Sequence, residues 1–334
     1  MQLCLIPLLG PFHLRYPAYN AITVRNMLRG VAPDALAITA LEKGFQTQAR
    51  WQDTPEMVLP LSVIPWAKRQ NVPVYGVFEP SPDPDALEDF RRYGLEYPQV
   101  GQQLAQVDAL LRPLQDLLDK PLTLGRIRDE VLPVVCEHQL RREEMFEDGP
   151  ATDWLHERTR VMARKILDLP HERVAVLVSI DHLPFLETAL NGKAELIQAD
   201  LPEASEESRE RSLLDFAFRA DEVSEPGNLI AKLRTLGMSE ARYHEANLLL
   251  SNAHAAEALE TLKTLTNGNF SEPYYLPGYA LARLGQLYDL SEQRAAALRS
   301  YRGVLALSYA PLEALETARR GLNEPFGKSE SPTD

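Results

Sequence analysis

Two short apolar runs frame the first half of the chain, Leu3-Cys4-Leu5-Ile6-Pro7-Leu8-Leu9 and Val174-Ala175-Val176-Leu177-Val178. Unbroken apolar runs of this length, bounded by turn residues, read as strands buried on both faces of a parallel sheet. Runs of the same kind occupy residues 34–41, 71–78 and 195–198. Between them, residues 18–28 and 61–68 place their apolar side chains at helical spacing, the second around Trp66. Strand, helix and strand in alternation predict parallel pairing with right-handed crossovers. Residues 83–147 are mostly helical in pattern, including an amphipathic stretch over 100–118. A turn at Gly149-Pro150-Ala151-Thr152-Asp153 then offers Thr152 or Asp153 as the cap of a helix over 154–169. That helix leads into the second framing run, and an acidic helix over 203–219 follows the last strand.

Beyond Pro226-Gly227 and Gly237, read as a linker, the period becomes wholly helical. Leu284-Gly285, Tyr288, Ala297 and Tyr301 stand at the spacing of a tetratricopeptide unit, in which small residues let paired helices approach and aromatics plug the gap. Ala246, Leu249, Ala258, Leu262 and Leu265 form a weaker copy, offset by more than the usual period of about 34 residues. The loop from Asn267 to Pro273 holds the surplus, and residues 311–322 read as a closing helix. The expected architecture is therefore α/β, a mostly parallel sheet flanked by helices over residues 1–225. An all-α helical-repeat, tetratricopeptide-like domain follows over 240–323, with a disordered tail over 324–334.

Composition narrows the function classes. The formal charge of −13 over 334 residues argues against a phosphate-backbone partner, so no nucleic acid is expected. Residues 240–323 hold nine acidic and eight basic side chains, which assigns nearly all of the net charge to the first domain. No apolar run approaches a membrane span, and Met1-Gln2-Leu3 lacks the basic start of a signal peptide. Two cysteines, Cys4 and Cys136, make no disulfide framework, and a cytoplasmic location is expected. Gly-rich phosphate loops, Gly-x-Ser-x-Gly elbows and Cys-x-x-Cys pairs are all missing from the sequence.

The candidate chemistry lies where the two framing strands end. The first runs into Gly10-Pro11-Phe12-His13 and the second into Ser179-Ile180-Asp181-His182. In open α/β sheets such carboxyl ends build sites, so His13 and His182 are expected to share one crevice, as catalytic groups or as metal ligands. Glu79, just past the 71–78 strand, stands where an α/β site wants an acid. Glu157 and Arg160 lie three apart on one helix, where they can equally pair with each other on a solvated face. His138, in a helical and charged context, reads as a surface residue.

These residues carry a family resemblance. Gly10-Pro11-Phe12-His13, then Glu157-Arg158-Thr159-Arg160-Val161-Met162-Ala163, then Ser179-Ile180-Asp181-His182 resemble, in order and separation, the superfamily of TraB and Tiki proteins, ChaN haem-binding lipoproteins and erythromycin esterases. The resemblance covers roughly the first two hundred residues. It implies a site using His13, Glu157, Arg160, Asp181 and His182, with Gly10 and Glu79 lining a cofactor pocket. Two His and one or two carboxylates would suit Mn, Fe, Co or Zn. The departures are Pro11 and Thr39 where members carry acids, and Ser179 where they carry Gly. The expected function is a metal-assisted or acid–base hydrolase acting on a small molecule or peptide. The alternative is an inactive, ligand-binding α/β domain. In either case a protein or peptide partner is expected on the helical repeats.

Overall fold

The computed structural model describes residues 1–10, 16–80, 85–146, 153–200, 203–219 and 226–327. Pro11, Phe12 and His13, the turn at 149–152 and the tail from 328 lie outside the described residues. The chain divides into two compact units, Met1–Arg211 and Ser212–Asp334. The first is a parallel sheet flanked by helices, and the second is all-α.

Among the described residues five strands form the sheet: β1 (Gln2–Leu8), β2 (Ala35–Glu42), β3 (Val74–Phe78), β4 (Arg173–Ser179) and β5 (Glu195–Ile197), in the order β3-β2-β4-β1-β5 and all parallel. Their alternation explains the unbroken apolar runs. Cys4, Ile6, Leu8, Leu36, Ile38, Ala175 and Leu177 enter one core, with α1 (Ala21–Val31) and α2 (Ile64–Gln70). Leu3, Ala35, Ala37, Val174, Val176 and Val178 enter the other. Both faces of each central strand are covered, so neither face has reason to be polar.

After β3 come α3 (Ala86–Glu96), α4 (Pro98–Ala109), α5 (Arg112–Leu118), the single turn α6 (Leu124–Arg126), α7 (Leu132–Met145) and α8 (Asp153–Leu167). α9 (Leu183–Leu190) links β4 to β5. Leu183, Leu186 and Leu190 of α9 join Ala163 and Ile166 of α8 on the second face. β1 thus exits through α1 on one face, whereas its neighbour β4 exits through α9 on the other. Adjacent strands whose exits part in this way leave a crevice beyond their carboxyl ends.

The helical unit takes in the end of α10 (Glu206–Arg219) and then α11 (Pro226–Leu236), α12 (Ser239–Ser251), α13 (Ala255–Thr266), α14 (Leu276–Leu290), α15 (Arg294–Ala306) and α16 (Leu312–Asn323). The stretch expected to be a linker is thus helical from Pro226, because Leu229 and Leu233 find a core with Leu214, Ala241 and Leu248. Tyr301 is fully buried, and a methyl group at either Gly285 of α14 or Gly321 of α16 would overlap its ring. Its hydroxyl donates to Asp289 at 2.9 Å, and that buried carboxylate also accepts from Arg294 and from the Phe326 amide. Among the described residues no helix is long and apolar enough to cross a membrane.

Candidate functional site

The crevice beyond β1 and β4 is built on the pairing of Leu8 with Ser179. The Ile180 amide donates to the Leu8 carbonyl at 3.1 Å, which ties the turn after β4 to the end of β1. Gly10 follows with φ +58°, a left-handed conformation that glycine adopts without steric cost. This conformation turns its N–H onto Glu56, donating to Oε2 at 2.8 Å. The Ser179 hydroxyl donates to Glu56 Oε1 at 3.4 Å, and the Ser179 amide donates to Thr39 Oγ1 at 3.1 Å. Three strands therefore contribute to one polar cluster, whose centre is a carboxylate only 5% exposed.

Glu56 reaches this position from the connection between β2 and α2. Its amide donates to Thr54 Oγ1 at 3.2 Å, and its carbonyl accepts from the Leu59 amide as the chain turns into helix. The following residues, Leu59–Val63, form a π-helical turn that runs directly into α2. Burial lifts the Glu56 carboxyl to about 7, because a low-dielectric setting disfavours the charged form. The Gly10 amide and the Ser179 hydroxyl act in the opposite direction, and Asp181 adds to the rise.

Asp181 and His182 occupy the turn between β4 and α9. Asp181 is exposed by area, yet protein atoms crowd the space around it and raise its carboxyl, while His138 acts to lower it. His182 is buried at the N-cap of α9. Burial, assisted by the positive charge of Arg158, pushes its imidazole down to about 4, so it is neutral near pH 7. Among the described residues its Nδ1 has no hydrogen-bond partner.

The other expected site residues are distributed differently. His13 lies outside the described residues. Gly10 contributes its backbone to Glu56. Glu79 accepts from Lys165 Nζ at 2.6 Å, and that ammonium also donates to the Phe78 carbonyl. Glu157 and Arg160 are exposed and pair with each other at 2.9 Å. Neither makes a hydrogen bond or ion pair with Glu56, Ser179, Asp181 or His182 among the described residues. His138, read as a surface residue, is 5% exposed, with Nε2 4.0 Å from Asp108 and an electrostatic link to Asp181. Its helix, α7, is charged in sequence, but this one position turns inward beside Val135.

Glu56 is the residue that sequence reasoning missed. The available signal was an acid in the loop after a strand, just before an apolar helical run, but Asp53 three residues earlier fits that description too. The structure separates them: Asp53 pairs with Arg50 at the surface, whereas Glu56 is buried. Among the described residues no three His, Cys, Asp or Glu side chains come together as a metal ion would require. Models of known protein families, curated proteins and solved structures give no match to this chain.

Proposed function

We propose that the first unit is an acid–base hydrolase of carboxylic esters or amides, with its site in the crevice beyond β1 and β4. The observation that carries this reading is Glu56, a buried carboxylate whose pKa of about 7 suits a group that must both take and give a proton near neutral pH. In this mechanism Glu56 accepts a proton from a water as the water oxygen adds to the substrate carbonyl carbon. Glu56 then gives that proton to the leaving oxygen or nitrogen as its bond to that carbon breaks, and the negative charge of Asp181, which raises the Glu56 carboxyl, favours the protonated form between the two transfers. His182, neutral and with Nδ1 unengaged, is available to hold the substrate by a hydrogen bond. The Ser179 hydroxyl and the Gly10 amide keep the Glu56 oxygens aimed during the cycle. The resemblance to the TraB, ChaN and erythromycin-esterase superfamily supports the same region as a site, and His13 belongs to this reading as a further acid–base group.

A panel of p-nitrophenyl esters of increasing acyl length tests the proposal. Hydrolysis should rise with pH through about 7 and fall by roughly 100-fold or more in Glu56→Gln, the scale of a lost general base. Absence of turnover across the panel, or a Glu56→Gln variant as fast as the parent, would overturn it.

Thr39 favours a second reading, a ligand-binding domain without turnover. The family carries an acid at this place, whereas Thr39 is buried and accepts the Ser179 amide in a structural hydrogen bond. For the second unit, we read α12 with α13 and α14 with α15 as tetratricopeptide-like hairpins, and a protein or peptide as the partner they hold. The close seating of Tyr301 on Gly285 supports that repeat identity.

A further inference from the structure

The helical unit holds an open cavity of about 630 Å³, apart from the crevice around Glu56. Its lining comes from α10, α12, α14 and α16. One wall is aromatic: the rings of Tyr243 and Tyr279 lie nearly parallel, with centroids 6.2 Å apart and an angle of 20°. Phe218 meets Tyr279 edge-on at 6.0 Å.

Facing the same space is a half-buried arginine, Arg283. Its Nε donates to Asn247 Oδ1 at 2.9 Å and its Nη1 to Gln286 Oε1 at 2.8 Å. Both acceptors are neutral. Tyr243, hydrogen-bonded to both Asn247 and Arg283, adds a third neutral partner, so the guanidinium is held in place without its charge being cancelled. Arg234 and Arg294 of the same unit differ in being neutralised, the first by Glu245 and Glu257 and the second by Asp289. Glu313 also lines the cavity, but its carboxylate accepts from the Tyr279 hydroxyl at 3.1 Å and forms no ion pair with Arg283.

We propose that this cavity binds a small carboxylic acid bearing an aromatic or apolar body. The carboxylate would pair with the guanidinium of Arg283, and the body would lie on the Tyr243–Tyr279 wall. An oriented guanidinium is the preferred partner of a planar carboxylate, and partial removal from water strengthens the pairing. The cavity volume falls in the range of roughly 300–1,000 Å³ that suits a small molecule. Aromatic walls add stacking to simple burial. The inference is independent of the crevice around Glu56, since every residue it uses belongs to the helical unit.

Isothermal titration of the full-length chain with 3-phenylpropionate and with its neutral isostere 3-phenylpropionamide tests the proposal. The acid should bind at least about tenfold more tightly than the amide, the scale of a hydrogen bond to a charged group. Arg283→Gln should bring the two affinities together, and Glu313→Gln, which removes a like charge from the cavity, should tighten the acid. No binding of the acid, equal binding of acid and amide, or an Arg283→Gln variant of native circular dichroism with unchanged preference would each overturn the assignment. If Arg283→Gln does not fold, the comparison of acid with amide and the Glu313→Gln shift decide the matter alone. A tripeptide ending in phenylalanine that binds more tightly than the free acid would overturn the small-molecule assignment in favour of a chain terminus.

Discussion

At the scale of single residues, the crevice holds two buried titratable groups shifted in opposite directions. Glu56, raised to about 7, keeps its proton in the folded protein well above the pH at which an unfolded glutamate near 4.5 loses it. Its contribution to stability is complete below about 4.5 and is lost as pH rises through about 7. His182, lowered to about 4, behaves oppositely: its contribution is complete above about 6.5 and is lost as pH falls through about 4. Each shift corresponds to on the order of 3 kcal/mol. In the wild type the two slopes nearly cancel between about pH 4.5 and 6.5. Glu56→Gln should therefore gain stability relative to wild type as pH rises from 4.5 to 7. His182→Asn, which keeps a good N-cap residue on α9, should lose relative stability as pH rises from 4 to 6.5. Urea denaturation of both variants across this range measures the slopes directly, and parallel curves for variant and wild type would mean that neither group is buried as described.

Between elements, close approach depends on small residues under one ring. Alanine is ordinarily better than glycine inside a helix by about 1 kcal/mol. Gly285→Ala should nonetheless destabilise the helical unit, because the added methyl overlaps the Tyr301 ring. Ala297→Leu should do the same by roughly 1–3 kcal/mol, since Ala297 is fully buried in the cluster that holds Tyr301. Thermal unfolding of the two variants checks both signs, and a stabilised Gly285→Ala would show that the ring does not seat on α14. In the sheet unit, Ser179 couples two strands through its backbone and Glu56 through its hydroxyl. Ser179→Ala preserves the first link and removes the second, so its effect should appear in the titration of Glu56 more than in sheet stability.

At the scale of the whole molecule, the two units carry separate cores, one pair around the sheet and others among the helices. Substitutions distant from one another and sharing no partner usually act independently. Ala297→Leu should accordingly lower the melting of the helical unit while leaving the pH dependence set by Glu56 unchanged. Differential scanning calorimetry of Ala297→Leu, of Glu56→Gln and of the double variant checks this. A double variant whose loss departs from the sum by more than about 0.5 kcal/mol would demonstrate coupling between the units.

Local pattern was sufficient for the elements themselves. Apolar runs marked β1 to β5, helical spacing marked α1, α2 and α12 to α16, though not α11, and the change of period separated the two classes of structure. These features are legible because burial on two faces, or on one stripe, constrains every residue of an element in turn. The strand-end turn carrying Asp181 and His182 was legible for the same reason: it is contiguous in sequence with β4. Other features depend on which segments meet in space. Only the order β3-β2-β4-β1-β5 brings Gly10, Thr39 and Ser179 to one crevice, and only that crevice buries Glu56 in preference to Asp53. His138 turned inward on a charged helix, and Arg283 was left without a carboxylate, by the same kind of long-range packing. A residue's polarity is written in the chain, but its dielectric surroundings come from neighbours that the tertiary fold alone supplies.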